Sequence, residues 1–503
     1  MRKIEFYGGF HRKKGIRLTA EMSPLLGKYF YGADKGTRWK GLQMFDNAHT
    51  VMLTEEGIIP KQTGVRILKA LRQMESGGVQ KVREELDNPL DCGEGYVTSI
   101  VGPELGGWMN CGRSYGDLGG VAYRVDTRDA IIATMKELIN IRKTFLEKAE
   151  EHIDTIMPGY SHLQHAEPIT FGFYLVSWVH QFERDFERFR CAYKHTNISP
   201  AGCAILTTTD FPINRKRTQE LLGFDDMYTN ARDAIWTIDY LEETLSAFMG
   251  MIRALSRAAG DLDIWHTSEF CMVEHPDAFC GSSYIMPQKK NAYGAECIRW
   301  LNANVLGNVM TFIAATNRNS DSGEGFKVPI CLFHAFESCL GALQIMNGIV
   351  KDAIVHRERM RERTEMFWAQ ASTLANMIVR EKEIPFRLAH DIVGVLVKMT
   401  YDEGKKPKDV DTKMLNRAAK KLGVQPLNLS EETLRKALDP AMVVRSKKII
   451  GGTAPERVKE DITSSFERMH QDKEVVAAIE VNIATAEKKL RAAIDRIIGE
   501  HRQ

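Results

Sequence analysis

Residues 281–291 read GSSYIMPQKKN, so that two hydroxyls on a glycine-led loop are followed by two lysines and an amide. A loop of this composition can bend and close. Its groups answer a specific demand: removing a proton from carbon beside a carboxylate builds a dianionic aci-carboxylate, which fixed donors must hold. Lys289 and Asn291 are donors of that kind. A serine can take the proton once a nearby cation and backbone N–H groups lower its pKa and loop closure expels water. Taken alone, a loop rich in Gly, Ser and Lys is more often a solvated connection.

Two more segments carry groups that complement this chemistry. In MPGYSHLQHAEPI (157–169), His162 can protonate a departing nitrogen near neutral pH, and Ser161 and Gln164 can hold carboxylate oxygens. In NCGRSYGD (110–117), Arg113 and Ser114 follow a glycine and Asn110 opens the turn; a guanidinium grips a carboxylate through two parallel hydrogen bonds. The bland alternatives are a satisfied structural histidine and a surface salt bridge.

The loop is similar to the GSSxMPxKxN signature of the fumarase/aspartase superfamily, and the histidine segment resembles the P-G-Y-T-H-L-Q of argininosuccinate lyases. By that resemblance Ser282 is the base, Lys289 and Asn291 hold the developing charge, and Glu296 in ECIR is the carboxylate that polarises His162. Asn110, Arg113, Ser114, Ser161, Gln164, Ser283 and Met286 join Asn291 as substrate contacts. Two residues, Tyr284 and Ile285, stand where the signature has one. Counting from the glycine gives Ser282, and counting back from Met286–Pro287 gives Ser283; the count from the glycine is preferred. The pattern continues through NISPAGCAI (197–205), IPFRLAHDIVG (384–394) and LDPAMVVRSKKIIGGTAP (438–455). The resemblance implies an all-α fold of three mostly helical regions around a central long-helix bundle. It also implies a homotetramer whose active sites are each built from three subunits.

The elements that must position these groups are visible as apolar stripes at three-and-four spacing. Ile131, Met135, Leu138, Phe145, Ala149 and Ile153 form one; Ile235, Ile238, Leu241, Leu245, Phe248, Ile252 and Leu255 form another. Strand evidence is thin, with no Asn-Gly hairpin signal. The chain divides into residues 1–116, 117–366 and 367–503, the last continuing to pack on the bundle. With 68 Lys and Arg against 66 Asp and Glu, nothing points to nucleic acid or a membrane surface. Nine widely spaced cysteines without a C-x-x-C pair read as reduced thiols, and no leader or bilayer-length uncharged run is apparent, so a cytoplasmic location is expected. No cofactor or metal is expected, since acid, base and charge stabilisation suffice.

Two departures bear on the substrate. Where argininosuccinate lyases have Y-N-x-D-L-Q-E-D-K, residues 316–327 read TNRNSDSGEGFK; where they have D-I-x-G-S-x-A-H, this chain has LQMFDNAH, keeping Ala48 and His49. Losing several buried polar partners, at roughly 1–3 kcal/mol each, should abolish recognition of a guanidinium group. The expectation is a C–N lyase acting on an N-substituted aspartate, with fumarate and an amine other than arginine as ligands and Arg318 a candidate for an acidic substituent. Argininosuccinate lyase itself and a non-catalytic crystallin-like relative are the alternatives.

Overall fold

Long helices follow the apolar stripes. A computed structural model describes residues 39–84, 93–317 and 328–499. The principal helices, numbered in chain order, are α1 (Trp39–Glu55), α2 (Lys61–Ser76), α3 (Tyr115–Glu151), α4 (Phe171–Thr196), α5 (Asp239–His266), α6 (Tyr293–Thr316), α7 (Pro329–Lys351) and α8 (Pro455–Gly499). The expected all-α class holds, with one substantial exception: β1 (Ile156–Ser161) and β2 (Gln164–Thr170) form an antiparallel hairpin. A two-residue pair, β3 (Val273–Glu274) with β4 (Ile354–Val355), ties the end of α5 to that of α7.

Helix α3 starts at a capping box: Ser114 Oγ accepts from Gly116 N at 3.3 Å and Asp117 Oδ2 accepts from Ser114 N at 2.8 Å. Five of its six predicted stripe residues are buried, and Ile153, past the helix end, packs against the same core. The second stripe is two helices rather than one. Ile235 belongs to the short helix Ala231–Trp236, Thr237 is extended, and α5 begins at Asp239.

Helices α3 to α7 run alternately up and down around one core, with Phe145 edge-on to Phe182 at 5.4 Å and Phe189 against Phe248 at 5.0 Å. Each such ring contributes about 1.5–3 kcal/mol by leaving water. Among the described helices α7 alone is long and apolar enough to cross a membrane; here Cys331, Leu332, Ala335, Cys339, Leu343 and Met346 are buried in the bundle core. Helix α8 runs from that core, at Val458 to Ile483, to the core built on α1 and α2, at Leu490 to Ile498. A third core joins the shorter helices between Leu374 and Leu438.

A polar network clamps α8 to the bundle. Arg468 Nε donates to Glu183 at 3.0 Å, Arg142 pairs with Asp472 and Glu183, and His180 bridges Glu183 at 3.2 Å and Asp461 at 2.8 Å. The bond to Glu183, aided by Asp461 and opposed by burial, raises the His180 pKa above 6.5. The stabilisation is therefore full below the unfolded value and is lost as pH rises through the folded one. Between about pH 6 and 8 the wild type should lose roughly 0.5–1 kcal/mol more than His180→Gln, the figure allowing for solvent screening of a half-buried ring. Urea midpoints at both pH values check it; parallel pH profiles would contradict it.

Candidate active site

The histidine segment lies at the tip of the hairpin. Ser161 pairs with Gln164, so the turn between them is His162–Leu163, and both residues have positive φ, +56° and +60°. A two-residue turn with both residues left-handed matches the strand twist but normally takes Asn-Gly. Forcing ordinary side chains into it costs about 1–2 kcal/mol per residue. Ser161 Oγ lies 2.8 Å from His162 Nδ1, which leaves Nε2 directed away from its own serine. The base of the hairpin is fastened: Lys447 pairs with Glu167 at 2.8 Å, and Ser372 bonds the same carboxylate.

The serine–lysine loop closes on a neck in which Gly281 and Asn291 exchange both backbone hydrogen bonds, 2.9 and 2.7 Å long. A Cβ at Gly281 would stand 2.0 Å from the Tyr293 ring, so any larger residue there would have to displace that exposed ring. Ser282, Tyr284, Ile285, Met286 and Lys289 are exposed, whereas Ser283 is half-buried and its Oγ accepts from Ile285 N at 3.4 Å. Lys289 and, in the first turn of α6, Glu296 have no side-chain partner among the described residues. Lys290 is pinned between Glu274 and Asp277.

The arginine turn is built differently. Arg113 is buried, its Nη2 2.9 Å from Asp46 Oδ1 and its Nε donating to Asn110 Oδ1 at 2.9 Å; the other Asp46 oxygen accepts from Arg83 at 2.6 Å. One helical turn along α1, His49 donates Nε2–H to the Cys111 carbonyl at 2.8 Å. Burial, reinforced by Arg113, lowers the His49 pKa to about 3 and keeps the ring neutral. Ser114 caps α3, and Asp117 also accepts from Ala204 N at 3.1 Å, its carboxyl pushed up to about 7 by burial against these backbone bonds. Asp46 and Asp117 are not among the candidate residues that the sequence offers. Asp117 was detectable as the fourth residue of an S-x-x-D capping signal; Asp46 was counted only as part of a lost motif.

Helix α3 separates these groups. Arg113 and Ser114 precede its first residue and His162 follows its last, and 37 residues of α-helix span about 55 Å. The hairpin and the serine–lysine loop share the opposite end of the bundle, where Tyr160 meets Phe270 at 6.1 Å. Among the described residues of one chain, no hydrogen bond or ion pair joins His162 to Ser282, Ser283, Lys289, Asn291 or Glu296. Arg318 and most of the 316–327 stretch lie outside the described residues.

Comparison with known proteins places the chain in a family. Residues 55–307 match the family model described as lyase, and residues 368–445 match the argininosuccinate lyase C-terminal model. The argininosuccinate lyase of Methanothermobacter thermautotrophicus is 37% identical over 421 residues, 82% of this chain and 89% of the relative. This chain is an argininosuccinate lyase-like member of the fumarase/aspartase superfamily. It is a carbon–nitrogen lyase. The family member of Methanocaldococcus jannaschii, also named argininosuccinate lyase, is 36% identical over 86% of this chain and 88% of its own. Among solved structures, an EDDS lyase variant with bound fumarate superposes with a TM-score of 0.87 at 28% identity, covering 96% of this chain and 98% of that one. The class II fumarase of Schistosoma mansoni shares the fold, with a TM-score of 0.65 at 17% identity over 81% of this chain and 90% of its own.

In this family member the hairpin tip carries strain that a stability-optimised turn would not. Replacing His162–Leu163 by Asn-Gly should stabilise the protein by about 1–2 kcal/mol while lowering turnover at least ~100-fold. Urea denaturation and steady-state rates on the double variant check both halves. A variant no more stable than the wild type would show that the turn is unstrained.

Proposed function

We propose that this lyase, as a cytoplasmic homotetramer, eliminates fumarate from an N-substituted aspartate or adds an amine to fumarate, and that the amine is not arginine. The observation that carries the reading is the loop end of the bundle, where two serines, an ammonium without a side-chain partner among the described residues and an amide lie on one loop closed at its neck. A serine removes the proton from carbon beside the carboxylate. Lys289 and Asn291 hold the aci-carboxylate so formed, and expulsion of the amine breaks the C–N bond and leaves fumarate. His162, oriented through Nδ1 by Ser161 and polarised by Glu296 of another copy, gives the departing nitrogen its proton. No cofactor or metal takes part.

Of the two serines, Ser283 is the better candidate. It accepts a backbone N–H, the kind of bond that stabilises an alkoxide. Ser283→Ala should lower turnover at least ~1,000-fold and Ser282→Ala less than ~10-fold; the reverse pattern would return the role to Ser282.

The arginine turn supports an altered amine pocket. Asp46 stands where the argininosuccinate lyase motif has serine, and its carboxylate is committed to Arg83 and Arg113. The curated relatives favour a second reading, argininosuccinate lyase itself. The two separate in one assay. Purified protein is incubated with fumarate and, in turn, ethylenediamine, aspartate, simple amines and arginine, while loss of fumarate's ultraviolet absorbance is followed. Turnover with an amine other than arginine is expected, and activity confined to argininosuccinate would overturn the proposal.

A further inference from the structure

We propose that Lys290, the neighbour of the lysine assigned to the reaction, is a positioning residue whose grip on Glu274 and Asp277 sets the side on which Lys289 and Asn291 face the substrate. The inference rests on the site described under the proposed function. Lys290 Nζ lies 2.7 Å from Glu274 Oε1 and 2.6 Å from Asp277 Oδ1. Its backbone is held as well: the Lys290 carbonyl accepts from His266 Nε2 at 3.2 Å, while His266 Nδ1 accepts from His275 N at 3.2 Å. Those two bonds together require the neutral Nε2–H tautomer of His266. His356 stands 3.6 Å from the second oxygen of Glu274, and the His275 ring stacks on His266 at 4.7 Å. Glu274 belongs to β3, Asp277 to the turn after it, and His266 to the last turn of α5. Three pieces of the bundle end therefore grip one residue of the loop.

The consequence is one of register. Between the turn at Pro287–Gln288 and the paired Asn291 the chain is neither helix nor turn. Lys290 is held by two carboxylates, whereas Lys289 is exposed and has no side-chain partner among the described residues, so the grip distinguishes the two adjacent lysines. A slip of one residue would exchange the two lysines and tie the working ammonium to the two carboxylates. Solvent-exposed ion pairs such as that with Asp277 add little to stability. Geometry is what they control here: displacing a charge-stabilising group by about 1 Å can cost on the order of 100-fold in rate. The same grip explains why only one of two adjacent lysines is available to a carboxylate ligand.

The test uses the full-length protein, with fumarate and the panel amine of highest turnover as probes. Lys290→Met should lower kcat on the order of 30-fold with a smaller change in KM, and Lys290→Arg should recover to within about threefold of wild type. Glu274→Gln should move kcat in the same direction as Lys290→Met. Thermal midpoints of all three should stay within about 2 °C of wild type, which separates positioning from loss of fold. Lys290→Met within threefold of wild type, or Lys290→Arg as impaired as Lys290→Met, would overturn the inference. Lys289→Met serves as the internal control. If it is inactive while Lys290→Met is unimpaired, the site stands and the positioning role falls; if it turns over normally, the site itself has been misassigned.

Discussion

The length of α3 constrains everything else in this molecule. A carbanion beside a carboxylate needs a base, fixed cations and donors, and a carboxylate clamp within a few ångströms of one another. In one chain the arginine turn sits before a 37-residue helix and the histidine hairpin sits after it, about 55 Å away. Rigid helices of that length cannot bend to close the gap. Under the proposed function, each site would be completed by groups from more than one copy, as a homotetramer would provide. Helix α6 leaves Trp300, Leu306, Met310 and Ile313 exposed along its length.

Local structure around each group has the same character: rigid support beneath the candidate side chain. The hairpin carries His162 on a strained turn but fastens its base through Glu167 to Lys447 and Ser372. The serine–lysine loop exposes Tyr284 and Ile285 yet closes on a paired neck. The arginine turn is set on α1 by two residues one helical turn apart, Asp46 through its carboxylate and His49 through a neutral ring. Arg113 thus has a buried counter-charge that fixes its position, and loss of Asp46 alone would leave two guanidinium groups facing each other out of water.

Much of this was legible in the sequence where a periodic or long motif carried it. The stripe from Ile131 to Phe145 was a helix because one apolar face recurs every turn, and the GSSYIMPQKKN loop was conspicuous through its resemblance to a long family signature rather than through its composition. The hairpin was not legible, since its turn uses His-Leu in left-handed backbone where the recognisable signal is Asn-Gly. The break at Thr237 was hidden for the opposite reason: apolar residues continue on both sides, and periodicity does not register a single extended residue. Asp46 was invisible as a partner because an ion pair between residues 46 and 113 leaves no local pattern. Lys290 was visible as a residue, but its carboxylates lie 13 and 16 positions earlier and only the fold brings them to it.

The most direct test of the shared site is complementation between two inactive variants. His162→Asn and Lys289→Met are each purified, mixed, dissociated with mild denaturant and allowed to reassemble together. If the histidine and the lysine of one site come from different copies, some sites in mixed assemblies draw both groups from intact chains, and a substantial fraction of wild-type turnover should return. If both groups of a site come from the same chain, every site keeps one defect, and the mixture would remain as inactive as either variant alone.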